Sequence, residues 1–173
     1  MKRFIRAAVA LGVLGAAAVA LTTVAGAGSS VNAELAKVRA ATAKYHSLAR
    51  AQADGYSVEN EPCVVSPDGT MGIHAVKGPL IGDPAIDPLR PELLLYLPGP
   101  NGKLRLVGVE YFKVDADQNL ATDGDRPSLF GLPFDGPMEG HAPGMPIHYD
   151  LHMWIWHHNP SGMFSMWNPS VHC

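Results

Sequence analysis

Beyond residue 30 the apolar positions first fall into a helical rhythm. Val31, Leu35, Val38, Thr42, Tyr45 and Ala49 follow one another at intervals of three or four, which places them on one stripe of an α-helix. Ser30 or Asn32 can cap the start, Glu34 suits the positive end of the helix dipole, and Asp54-Gly55 provides the stop. One helix of about twenty residues is predicted, with a single apolar face that must pack on whatever follows.

The pattern then shortens to strands separated by proline and glycine. Residues 63–65 and 71–76 flank Ser66-Pro67-Asp68-Gly69-Thr70, where proline presets one turn dihedral and glycine admits a positive one, so the two segments should pair. Residues 93–97 and 104–114 flank Pro98-Gly99-Pro100-Asn101-Gly102 as a second hairpin. The longer strand is apolar on both parities, as a strand with neighbours on each side is. Residues 78–91 hold four prolines and read as a surface loop, with one helical turn opened by Asp87-Pro88. Asp115, Asp117, Asn119, Asp123 and Asp125 approximate a calcium-loop spacing. Leu120 and Arg126, however, stand where an EF-hand needs glycine and glutamate, which leaves a solvated loop. Residues 127–146 are irregular, anchored by Leu129, Phe130 and Phe134, and residues 163–173 form an extended tail. The expected fold is α+β, an N-terminal helix packed on a mostly antiparallel sheet, open or curled into a barrel.

Charge and composition add an address. Lys2, Arg3 and Arg6 precede an Ala/Val/Leu run and the small-residue exit Ala25-Gly26-Ala27, the order of a secretory signal peptide. The run approaches the roughly 20 apolar residues that span a bilayer, but its alanine content and its exit favour cleavage after Ala27. Residues 28–173 then form one secreted or periplasmic domain with no membrane attachment. Removing the three basic residues takes the formal charge from −3 to −6, which argues against a nucleic-acid partner. Cys63 and Cys173 both remain after cleavage, and an oxidising compartment favours a disulfide between them.

Candidate chemistry concentrates in HYDLHMWIWHHNP, residues 148–160. On a strand, His148, Asp150, His152, Trp154 and Trp156 share one face, while Tyr149, Leu151, Met153 and Ile155 form a core face on the other. The first face is polar at its start and aromatic at its end. That suits a pocket in which Trp154 and Trp156 line an apolar wall for a small-molecule ligand. His148 and His152 stand about 13 Å apart along a straight strand, too far to share an ion. Asp150 therefore joins one of them as a ligand, or accepts a ring N–H and fixes its tautomer. Glu110 has the parity of Leu104, Leu106 and Phe112, and on that apolar face a carboxylate needs a partner. His74 follows Gly72, which leaves room on His74's own face. His74, Glu110, His148, Asp150 and His152 are thus the candidate ligands of a divalent metal, with zinc, manganese or iron ahead of copper. Copper is drawn in by six of eight histidines and five of seven methionines lying from Met138 onward. The same residues also suit a buried hydrogen-bond network in a non-catalytic envelope or interaction protein, or acid–base catalysis without metal. No nucleophile elbow, phosphate loop or dinucleotide glycine pattern specifies an enzyme.

Over nearly all of residues 28–173 the chain resembles a group of secreted bacterial proteins of unassigned function. The likeness rests on MGIH at 71–74, LVGVEYF at 106–112, LFGLPFDGP at 129–137, GMPIHYDLHMWIW at 144–156 and NPSGMF at 159–164. The resemblance implies an exported bacterial protein and carries over no catalytic role.

Overall fold

The computed structural model describes residues 25–58, 62–141 and 144–173. The predicted leader lies outside them up to residue 24. Among the described residues no helix is long and apolar enough to cross a membrane.

The helical stripe is realised in three pieces rather than one: α1 (Ala25–Thr42), a 3-10 turn (Ala43–His46) and α2 (Leu48–Ala53). Since α1 already runs from Ala25, neither Ser30 nor Asn32 is its cap. Thr42 turns its hydroxyl back onto the Val38 carbonyl at 2.8 Å, a bond that competes with the regular ladder. Ser47 then takes extended dihedrals and caps α2, its side chain accepting from the Arg50 N–H. This break rotates the stripe. Leu35, Val38, Thr42 and Tyr45 are buried as expected, but in α2 the buried residue is Ala51 and Ala49 is exposed.

Six strands form a curled, open antiparallel sheet: β1 (Cys63–Ser66), β2 (Gly69–Val76), β3 (Leu93–Pro98), β4 (Leu104–Val114), β7 (Asp135–Met138) and β8 (His148–Met153), in the order β1-β2-β3-β4-β8-β7. β5 (Ser128–Leu129) and β6 (Leu132–Pro133) make a separate small hairpin. β4 is flanked by β3 and β8, in keeping with its apolar residues on both parities. Within residues 127–146, read as irregular, Phe130 and Phe134 are buried as anchors, and β7 adds an edge strand to β8. Pro137 is tolerated there because an edge strand leaves one row of donors unpaired. In residues 78–91 the helical turn is α3 (Gly78–Ile81), while Asp87-Pro88 opens a turn closed by Arg90 N–H donating to the Asp87 carbonyl at 2.9 Å. The acidic loop is organised by its own backbone. Asp115 is buried and accepts from Asn119 N–H at 2.9 Å, and Asp125 accepts from Ala116 N–H and the Tyr149 hydroxyl at 2.8 and 2.9 Å.

One irregularity decides which residues face which way. Leu95 pairs with Gly108 but Tyr96 pairs with Leu106, so Val107 is an extra residue on β4, a bulge that reverses parity beyond it. Leu106 therefore packs with the helices, whereas Glu110 and Phe112 face the other side of the sheet. This corrects the assignment of Glu110 to the face of Leu104 and Leu106. The helix-side core unites Leu35, Val38 and Tyr45 with Tyr96, Val109 and Leu151. The Tyr96 hydroxyl donates to the Tyr45 carbonyl at 2.6 Å.

The other face carries the candidate site and a small core of Leu95, Leu97, Val107, Trp154 and Val171. Gly72, at φ +104°, leaves no room for a ligand, because a Cβ there would stand 2.6 Å from the Tyr96 carbonyl oxygen. The space predicted beside His74 is filled by the neighbouring strand. Cys63 and Cys173 form a disulfide, with Cα atoms 6.1 Å apart across 110 residues. Thr70 and Asn168 exchange two backbone hydrogen bonds of 3.1 Å as an antiparallel bridge, and turns at 163–164 and 169–170 keep the rest of the tail from running extended.

Candidate metal centre

Register places three of the predicted ligands together. Glu110 on β4 lies directly opposite His152 on β8, and Leu93 on β3 separates Glu110 from Val76, two residues beyond His74 on β2. The side chains meet on one face. Glu110 Oε2 is 3.0 Å from His74 Nε2 and 3.3 Å from His152 Nε2, and one ligand atom from each residue falls within 4.8 Å of the others. All three residues are buried.

These contacts are close without being aligned as hydrogen bonds. Glu110 Oε2 and both ring nitrogens of His152 are buried with no hydrogen-bond partner, a state that costs about 1–3 kcal/mol per group and more for charged ones. A cation removes that cost. Donors bonded at about 2.0–2.1 Å stand about 2.8–3.4 Å apart in adjacent octahedral or tetrahedral positions, and the two measured separations fall in that range. The donor set of two imidazoles and a carboxylate fits a divalent ion with positions left open.

Asp150 stands behind the cluster, its Oδ1 3.5 Å from His152 Nδ1. Of the two places anticipated on the sequence it stands nearer the orienting one, behind an imidazole whose other nitrogen faces the cluster, without the aligned hydrogen bond that would fix the tautomer. His148 is set apart, as its distance along the strand requires. Its Nδ1 lies 3.1 Å from the Pro146 carbonyl, its ring stacks on Phe112 at 4.6 Å, and its Nε2 is 4.0 Å from Asp150 Oδ2. The structure thus gathers His74, Glu110 and His152, backs them with Asp150, and leaves His148 outside.

The tryptophans do not line this site. β8 ends at Met153, and Trp154 packs with Leu95, Leu97 and Val107 while its indole N–H donates to the Ser165 carbonyl at 2.8 Å. Trp156 crosses to the helix side, where its N–H donates to Thr42 Oγ1 at 3.2 Å and its ring meets His46 edge-on. Trp154 keeps the predicted face but packs away from the cluster, and alternation, which holds only while a strand continues, is lost at Trp156. The cavity beside the cluster, ≈ 390 Å³, is instead walled by Val64, Met71, Val76, Ile81, Leu93 and Phe112. Of these, Phe112 was legible through its parity with Glu110. Ile81 comes from α3, and the others come from strands whose facing only the register reveals.

Charge in the metal-free cluster is mutually enforced. Burial pushes the Glu110 carboxyl up, but the imidazolium of His152 and then that of His74 outweigh it and hold the group ionised below its ordinary range. Burial pushes His152 down, and Glu110 and Asp150 outweigh that too, raising it to about 9. His148 goes the other way, lowered mainly by burial against the bond to Pro146.

A group raised in the folded state stabilises fully below its ordinary value and loses that contribution as pH climbs through the folded value. The metal-free protein should therefore melt at progressively lower temperature between pH 6.5 and about 9. The Glu110 contribution is present above 4.5 and fades only under stronger acid. Thermal scans from strong acid to beyond the alkaline end of this range check both limbs, and a His152→Gln variant should flatten the alkaline one.

No family, curated protein or solved structure matches the chain.

Proposed function

We propose that this is an exported protein that binds a divalent metal through His74 Nε2, His152 Nε2 and Glu110 Oε2, beside a cavity that admits a small ligand. The observation that carries the reading is the meeting of two buried, unpartnered atoms, Glu110 Oε2 and His152 Nε2, with each other and with His74 Nε2 at metal-ligand separations. Zinc, iron and manganese suit two imidazoles and a carboxylate. Copper ranks behind them: Met145 lines the cavity, but Met153 packs in the helix-side core. Bound there, the ion supplies a Lewis acid. The chain's own part is to hold it, to set the charge of Asp150 behind His152 and to keep water from its apolar side. Export is supported by the leader-like first 27 residues and by the disulfide, a bond that persists in oxidising compartments.

The ion pairing of His152 with Glu110 favours one other use, a fixed structural network without metal. Metal analysis separates the two. The purified protein is expected to carry about one equivalent of metal, lost in His152→Ala. Free metal at about 100 times Kd should stabilise the fold by about 2.7 kcal/mol. Metal-free protein whose melting is unmoved by zinc, manganese, iron(II) or copper would establish the network instead.

A further inference from the structure

The geometry points to a ligand class for this site: a small, largely apolar molecule that reaches the metal through one terminal oxygen-donor group. This inference rests on the metal reading above and extends it to what fills the cavity. The volume, ≈ 390 Å³, lies in the range of small-molecule pockets. Its buried polar groups, His74, Glu110, Asp150 and His152, converge on the cluster, the exposed His141 adds one imidazole to the lining, and the remaining walls are chiefly aliphatic side chains, methionine and the ring of Phe112.

What the walls lack narrows the ligand further. Among the described residues the lining has no Arg, Lys, Ser, Thr, Asn or Gln. Phosphates are gripped by guanidinium or ammonium groups, and a sugar would bring hydroxyls that find no partners, each costing free energy on burial. The carboxylates of Glu110 and Asp150 together balance a divalent ion, so no surplus positive charge draws a polyanion and no spare carboxylate draws an amine. An apolar tail with one neutral or singly charged oxygen head satisfies both ends at once.

Straight-chain hydroxamates, from acetohydroxamate to octanohydroxamate, test this by calorimetric titration into the full protein loaded with cobalt(II), whose visible spectrum reports coordination. Each added methylene should tighten binding by up to about fourfold, equivalent to ~0.8 kcal/mol per buried CH₂, until the chain outgrows the cavity. Every member should shift the cobalt spectrum. Val64→Trp and Ile81→Trp, at partly exposed wall positions, should bring the plateau to a shorter chain with cobalt stoichiometry unchanged. A shifted spectrum with affinity flat along the series overturns the ligand class and leaves the metal reading standing. Protein that takes up no cobalt overturns both, and metal analysis shows this before any probe is added.

Discussion

Glu110→Ala is expected to destabilise the metal-free protein by about 3–5 kcal/mol, the usual cost of removing one partner from a buried ion pair. Its carboxylate stands 3.0 Å from His74 and 3.3 Å from His152. Without it, His152 keeps Asp150 and, more weakly, Asp135 as counter-charges, and a cavity opens between β3 and β8. For a chain of this size the loss corresponds to roughly 6–20 °C in Tm. The informative comparison is a combined variant, His74→Leu/Glu110→Leu/His152→Leu, which replaces the three by apolar side chains, made together with Asp150→Asn so that no buried carboxylate is left without its partner. Buried ion clusters treated this way commonly lose nothing or gain about 1–4 kcal/mol. If the cluster serves a bound metal, the combined variant should melt near or above wild type in the metal-free state while binding no metal. A combined variant as unstable as Glu110→Ala would instead make the cluster part of the fold's own stability and remove the main reason for assigning it a ligand.

That comparison also bears on how far the sequence is readable. Residues whose role is set by local pattern were legible: the β8 core face, the central placement of β4 and the disulfide all follow from alternation, two-sided burial and two cysteines. His74, Glu110 and His152 were legible as chemistry, because polar groups on apolar strands need partners. Their mutual arrangement was not. It depends on Val107, the extra residue on β4 that turns Glu110 away from the face of Leu106, and a bulge leaves no mark in hydrophobic periodicity. The same limit explains Trp156. Parity carries Trp154 to the predicted face, where it packs away from the cavity, but fails beyond it, since the strand has ended and Trp154 donates its backbone N–H to the Met163 carbonyl. The helix failed in a related way. Its stripe is continuous in sequence, but the Thr42 hydroxyl and the Ser47 cap break it locally, and that competition is decided by side-chain hydrogen bonds rather than by spacing.

Loss of the Cys63–Cys173 bond is expected to have an effect of similar size, reached through the unfolded state. The closed loop spans 110 residues, for which the chain-entropy relation gives about 4–5 kcal/mol, or roughly 8–20 °C in Tm. A Cys63→Ser/Cys173→Ser variant measured beside the reduced wild type separates the lost constraint from thiol chemistry. The damage should also be uneven. Cys63 opens β1, an edge strand paired only with β2, and Val64 beside it is part of the cavity wall, whereas Glu110 and His152 sit on β4 and β8 inside the sheet. Amide exchange should therefore quicken first in β1 and around Thr70 and Asn168, with β4 still protected. If the site is arranged as described, the double variant keeps its metal and loses affinity for apolar ligands, since one wall loosens while the ligand atoms hold their register. Equal loss of metal and ligand would mean that β2, and His74 with it, depends on the same covalent tie.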